Sequence, residues 1–282
     1  MRGAKLTDQI ATVVLWGAAL LVVVILVFLL GHILWAGLPV LTWNFLSRPP
    51  QALLAGGGVS VPLLNSIYLL VLALLIAVPI GLAGGVYLAE WARPGRTTDT
   101  IRAATDVLAS VPSIVVGLFA LALFVDAFGF GPSKIAGALG LTVISLPLLV
   151  RVTEEALRQI PDDLREASYA LGTSKTQTIL FVVIPAALTQ IVTGIILAAG
   201  RILGETAVLV FVTGLSSNRF SLDPFSSGVT LSVHLWFTNA ENILPDATRI
   251  ANGTAALLVL IMLALYLTGL ILTARSKRFR AR

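Results

Sequence analysis

Long apolar runs separated by short polar stretches organise this chain. The first run, residues 10–36, has no charged residue over 27 positions. A helix needs about 20 such residues to cross a bilayer. The run is too long for a signal-peptide core and lacks a small-residue cleavage site after it, so it reads as a retained span. Further runs cover residues 63–89, 106–128, 135–150, 185–215 and 254–273. The pattern predicts an all-α membrane protein, with six transmembrane helices in a single domain over residues 1–282.

Breakers punctuate the runs. Pro79 is expected to break the second span, where Gly81, Gly84 and Gly85 allow close helix contact. Pro112 and Ser113 lie in the first third of the third span, and Pro147 lies near the end of the fourth. Residues 37–62 read as a Pro- and Gly-rich loop, with Trp35 and Trp43 at interface depth. Gly56-Gly57-Gly58 is a flexible turn, since no G-K-[ST] follows it to make a phosphate-cradling loop. Residues 216–253 form an outer loop, in which residues 229–237 predict a short helix lying on the outer surface.

Composition changes the picture little but excludes much. The chain is 57% hydrophobic and 12% charged, which rules out a soluble domain. It has no cysteine, hence no disulfide and no thiolate metal site. Its net charge of +5 is distributed by side. Of 19 Lys and Arg, Arg48, Lys134, Arg219 and Arg249 fall on one side, Arg201 falls inside, and the rest fall on the other. The positive-inside rule therefore places both termini and the segment after the fourth span in the cytoplasm. The basic tail from Arg275 to Arg282 is then a topology anchor near acidic lipid, not a nucleic-acid arm.

Residues 151–184 break the apolar pattern with a charged, amphipathic insert. Pro161 suits the first turn of a helix, and Asp162 and Asp163 place negative charge at its positive end. Leu164, Ala167, Ser168 and Leu171 predict one small-to-apolar face. Gly172 permits the left-handed turn that ends a helix, and Thr173 or Ser174 can cap the next one. Pro185 is expected to bend that second helix into the membrane. Read on physics alone, the insert is a surface hairpin at the membrane edge.

A resemblance adds to that reading. Glu166-Ala167-Ser168, three residues, Gly172, nine residues and Val182-Val183-Ile184-Pro185 resemble the EAA loop of ABC-importer permeases. Ser168 for Ala, Val182 for Ile and Ile184 for Leu are mild departures. Gly200-Arg201-Ile202-Leu203-Gly204-Glu205-Thr206-Ala207 resembles the R-x-x-G-E-T-A signature of phosphate importer permeases. The stretch from Ser110 to Phe119 is similar to their P-S-I-V-x-G-L-F helix. Ala77-Val78-Pro79-Ile80-Gly81 with Tyr87-Leu88-Ala89-Glu90 is similar to another. Gly37-Leu38-Pro39 and Phe45-Leu46 resemble the PstA-type subunit more than its PstC-type partner.

The resemblance covers residues 10–275 and implies the type I (MetI-like) permease fold of ABC importers. It implies a cytoplasmic coupling helix between spans 4 and 5, with Glu166, Ala167, Ser168 and Gly172 facing an ATPase. The implied partners are two ATPase copies, a second permease of the PstC type and an external phosphate-binding protein, all at a bacterial or archaeal plasma membrane. Molybdate, sulfate or phosphonate is the nearer alternative cargo.

Arg201 and Glu205 carry the candidate chemistry, expected in the middle of one long apolar helix. Each would cost roughly 2.5–3.5 kcal/mol at the centre of an isolated membrane helix. Four residues apart, they share a face and can pair. Such a pair either locks a bundle or forms an anion gate, for which guanidinium offers a two-pronged donor to phosphate oxygens. Thr206, Ser113 and Pro112 join the candidate path, although Pro112, Ser113 and Gly117 also suit a kink with a helix contact. His234 and Trp236 either face a binding protein or anchor the loop in headgroups. No residue group has the spacing of a metal site, a nucleophile with its base or a nucleotide loop, so neither cofactor nor catalysis is expected here. Energy must then come from a partner. An ion-driven secondary transporter would need internal repeats, and none is evident; a bare scaffold would leave Arg201 and Glu205 unexplained.

Overall fold

The computed structural model describes residues 2–51, 56–215, 219–241 and 245–280. Ser216 and Arg282 lie outside the described residues. Among those described, every regular element is a helix. In chain order they are α1 (Arg2–Gly37), α2 (Trp43–Ser47), α3 (Ser60–Val86), α4 (Arg96–Ser110), α5 (Ser113–Ala120) and α6 (Lys134–Arg158). There follow α7 (Asp162–Ala170), α8 (Lys175–Thr178), α9 (Ile184–Gly204), α10 (Ala207–Val212), α11 (Leu231–Glu241) and α12 (Ala247–Arg280). Five continuous helical stretches are long and apolar enough to cross a membrane: Gln9–Val40, Ser60–Trp91, Lys134–Arg158, Lys175–Gly204 and Ala247–Ile271. α4 and α5 make a sixth only as a pair bent by 99°.

The core sits where α3 and α6 pack along each other, with α9, α10 and α11 around them. Glycine makes the close approach possible. A Cβ on Gly81 would lie 2.5 Å from Leu149 Cβ, and one on Gly85 would lie 2.4 Å from Thr153 Cβ. Close backbone contact of this kind replaces the hydrophobic drive that helices lack inside lipid. α1 differs: its side chains from Gln9 to Leu29 are exposed, and its far end meets α12, where Gly37 lies against Asn252 and Ala256.

Prolines act differently from one site to the next. Pro79 and Pro147 lie inside continuous helices, so the expected break at Pro79 does not form. Within hydrocarbon no water competes for the freed carbonyl, and helix is the lowest-cost state. Pro185 does not interrupt its helix either. The chain from Lys175 to Gly204 is one unbroken helix, and residues 179–183 widen into a π-turn. A proline ring collides with the carbonyl four residues back, here Phe181, and a wider turn relieves that collision. Pro112 does end a helix. Val111 is extended (ψ 130°), as the residue before proline prefers, and α4 and α5 diverge there.

The expected third span, residues 106–128, is thus divided between two helices: Asp106–Ser110 belongs to the amphipathic α4, and α5 begins at Ser113. At about 1.5 Å per residue, Ser113–Ala127 reaches only about 22 Å. Ion pairs tie α4 to α6: Arg102 to Glu154 (2.9 Å) and Asp106 to Arg151 (2.9 Å), with Arg158 also on Glu154 (3.0 Å). The helix that carries the expected fourth span runs past it, since α6 continues through Arg151 to Arg158.

Candidate functional site

The insert folds as two helical arms around a glycine turn. Gly172 has φ +84°, a left-handed conformation that a Cβ makes costly, and its N–H donates to the Tyr169 carbonyl at 2.9 Å. Ser174 caps the second arm through a capping box with Gln177. The predicted apolar face divides. Leu164, Ala167 and Leu171 are exposed, Leu171 at 86%, with Glu166 and Tyr169 beside them. Ser168 turns inward instead. Its hydroxyl lies 2.7 Å from Thr173 Oγ1 and 3.0 Å from Thr178 Oγ1, and those two lie 2.9 Å apart. Three hydroxyls thus knot the two arms together, at a position where the motif's usual alanine would offer no hydrogen bond. Glu166 and Ala167 face out; Ser168 and Gly172 hold the shape.

The second site is a break in the fifth span. α9 stops at Gly204, and Glu205 is extended (φ −70°, ψ 126°) before α10 begins at Ala207. Glu205 and Arg201 are therefore not on one continuous helix, and no ion pair joins them among the described residues. The Glu205 carboxylate turns forward. Its Oε1 accepts from the N–H groups of Ala207 (3.1 Å) and Val208 (3.4 Å), which α10 would otherwise leave open. The Glu205 carbonyl accepts from Ser232 Oγ at 2.8 Å. The break is stabilised because several of the polar groups it frees find partners.

Arg201 stays in the last turn of α9, where the helix dipole favours a cation. It is exposed, on a face shared with Thr193, Leu197 and Gly204, and its guanidinium has no hydrogen bond or ion pair among the described residues. Thr206 is half-buried at the break, its hydroxyl 3.4 Å from the Gly204 carbonyl. Pro112 and Ser113 open α5. One turn on, Gly117 lets α5 lie against the start of α10, where an added Cβ would be 3.0 Å from Val208 Cα and 3.1 Å from the Ala207 carbonyl oxygen. The two segments are thus adjacent, but no described hydrogen bond links Ser113 to Arg201, Glu205 or Thr206.

Residues 77–281 match the family of binding-protein-dependent transport system inner membrane components. The chain belongs to that family. Among its relatives is a probable ABC transporter permease of Bacillus subtilis, 44% identical over 277 residues and covering 94% of each chain. A phosphate transport system permease of Mycobacterium tuberculosis, PstA 1, is 36% identical over 245 residues, 84% of this chain and 80% of its own length. In structure, the inward-facing methionine transporter MetNI shares the fold, with TM-score 0.59 and 22% identity over 78% of this chain and 94% of its own. The expected MetI-like permease fold and the resemblance to PstA-type permeases both hold.

Other residues of this permease were not legible in its sequence. Lys134, expected at the outer surface, is fully buried. Its ammonium donates to the Ser221 carbonyl and lies 5.1 Å from the ring centroids of both Tyr68 and Phe220. The outer loop also accepts the first N–H groups of α6: Lys134 N donates to Ser226 O (3.0 Å) and Ile135 N to Pro224 O (2.8 Å). α11, expected on the outer surface, instead buries Leu231 and Val233 against α3 and α12. His234 of the permease turns inward with it, its Nε2 buried without a partner, while Trp236 is half exposed.

Proposed function

We propose that this chain is a permease subunit of an ATP-driven phosphate importer. It forms half of the translocation path, takes mechanical work from a separate ATPase at the α7 loop, and passes phosphate along a route that includes Arg201. The observation that carries the reading is Arg201: a guanidinium in an apolar span, exposed and without a counter-ion among the described residues. A charge so placed is unfavourable against lipid and favourable against a passing anion. Its planar fork suits two phosphate oxygens at once. Relatives named as phosphate permeases support the cargo, and the Bacillus relative, whose name states none, leaves room for another oxyanion.

Partners follow from the chemistry. Exposed Leu164, Tyr169 and Leu171 give the loop an apolar surface for a cleft on an ATPase dimer. A second, PstC-type permease covers the Arg201 face and completes the path. An external phosphate-binding protein delivers the cargo. The termini and the loop share the cytoplasmic side, consistent with the charge distribution.

The test is uptake into vesicles holding the assembled importer. Phosphate accumulates only with ATP and binding protein, and excess sulfate or molybdate leaves the rate unchanged. Competition by either oxyanion at equal concentration, or uptake indifferent to ATP, overturns the assignment.

A further inference from the structure

Glu90 sits in the π-turn Tyr87–Trp91 that ends the helix begun by α3. Its side chain is 7% exposed, and both arms of the coupling loop converge on it. From α7, Arg165 Nη2 donates to Glu90 Oε1 at 2.6 Å. From α8, Lys175 Nζ donates to the Glu90 carbonyl and lies 4.7 Å from the Trp91 ring centroid. Arg165 is itself 15% exposed and used on all sides. It donates to the carbonyls of Ile160 (2.7 Å) and Leu157 (2.9 Å) and to Asp162 Oδ1 (3.1 Å). One guanidinium thus joins the end of α6, the start of α7 and the end of the α3 helix. Its hydrogen bond to Glu90 holds the Arg165 pKa above the ordinary value.

This wiring gives the loop two outputs. One is covalent, through the unbroken helix from Lys175 to Gly204. The other runs through Glu90 into α3, which the glycine contacts at Gly81 and Gly85 lock to α6. The chain's sharp interruptions lie elsewhere, at the 99° bend before α5 and at the break after Gly204. We propose that Glu90, Arg165 and Lys175 form a strut that makes α3 and the coupling loop one rigid body, so that work delivered to α7 reaches α3 directly. Glu90 is then a positioning residue for transport. This rests on the coupling role assigned to the loop above.

The chain has no cysteine, so introduced thiols are unique within it. Glu90→Gln in the assembled importer should lower phosphate moved per ATP hydrolysed by about tenfold, within the usual range of coupling between sites. Glu90→Cys with Arg165→Cys should show the same loss, and a short bifunctional thiol reagent should restore it. Rescue by a covalent link separates a strut from mere support of folding. An unchanged ratio in Glu90→Gln, or a cross-linked form no better than its parent, overturns the proposal.

A second readout needs no cargo. Nitroxides at Asp163→Cys on α7 and Ile80→Cys on α3 should give one distance, unchanged by ATP, that broadens when Glu90→Gln is added. A distance that moves with ATP in the parent rejects the strut. If the parent moves no phosphate, the cargo assignment fails, and these distances still decide the strut.

Discussion

Arg201 and Glu205 stand four residues apart and in an unbroken helix would neutralise each other. The break after Gly204 separates their roles: Glu205 caps α10, and Arg201 is left bare. Substitutions should therefore part in their effects. Glu205→Ala removes a cap and should cost about 1 kcal/mol of stability, visible in thermal denaturation of the purified chain. Arg201→Gln removes no hydrogen bond or ion pair among the described residues and should stay within about 0.5 kcal/mol. Equal stability losses in the two would contradict this division. Lys134 gives a further residue-scale test. Lys134→Met keeps most of the apolar stem but loses the charge that holds the outer loop at Ser221 and Phe220 and faces Tyr68 of α3. Chymotrypsin should then cut faster at Phe220 or Phe225, and unchanged cleavage would show that the backbone bonds to α6 suffice.

At the scale of elements, the coupling loop depends on one dihedral. Gly172 at φ +84° sets the angle between its arms, a conformation that proline's φ near −65° cannot adopt. Gly172→Pro should insert and assemble yet fail to link hydrolysis to uptake, as measured by phosphate moved per ATP in vesicles. Normal uptake would show that the turn is not used. Gly85→Val is different in kind. A side chain there meets Thr153 at 2.4 Å, so folded yield in detergent should fall sharply, and a normal yield would deny the α3–α6 contact its structural weight.

Much of this element pattern is legible in the residues. Apolar runs locate the helices, and Pro161, Gly172 and Ser174 mark the arms of the loop. What stayed hidden depends on partners distant in sequence. The break at Glu205 has no proline to announce it, and forms because Ser232 and the start of α10 satisfy the freed groups. Pro79 looks like a break and is none, because the surrounding medium withholds water. Lys134 reads as a solvated cation until the outer loop folds over it, and α11 reads as a surface helix until α3 and α12 enclose it. Arg151–Arg158 looks like loop by charge, yet Arg102 and Asp106 on α4 extend the helix by pairing with it.

For the whole molecule, the contacts show one packed frame interrupted by a bend before α5 and a break before α10. α3, α6 and the coupling loop are cross-tied by glycine packing and by Arg165, while α5 and α10 sit beyond a bend and a break. α1 hangs outside this frame, touching mainly α12, with a long apolar surface left for lipid or for the second permease. Under the proposed function, a change in how the α5–α10 pair packs on α6 would change what Arg201 faces, as alternating access requires. The most direct measurement is ATP-driven entry of radiolabelled phosphate into vesicles carrying the assembled importer with Arg201→Gln. An intact, correctly assembled complex that hydrolyses ATP but admits phosphate at less than about a tenth of the parent rate, as expected when a charged donor is lost from an anion path, is the predicted result. Parent-rate entry by the Arg201→Gln importer would contradict it.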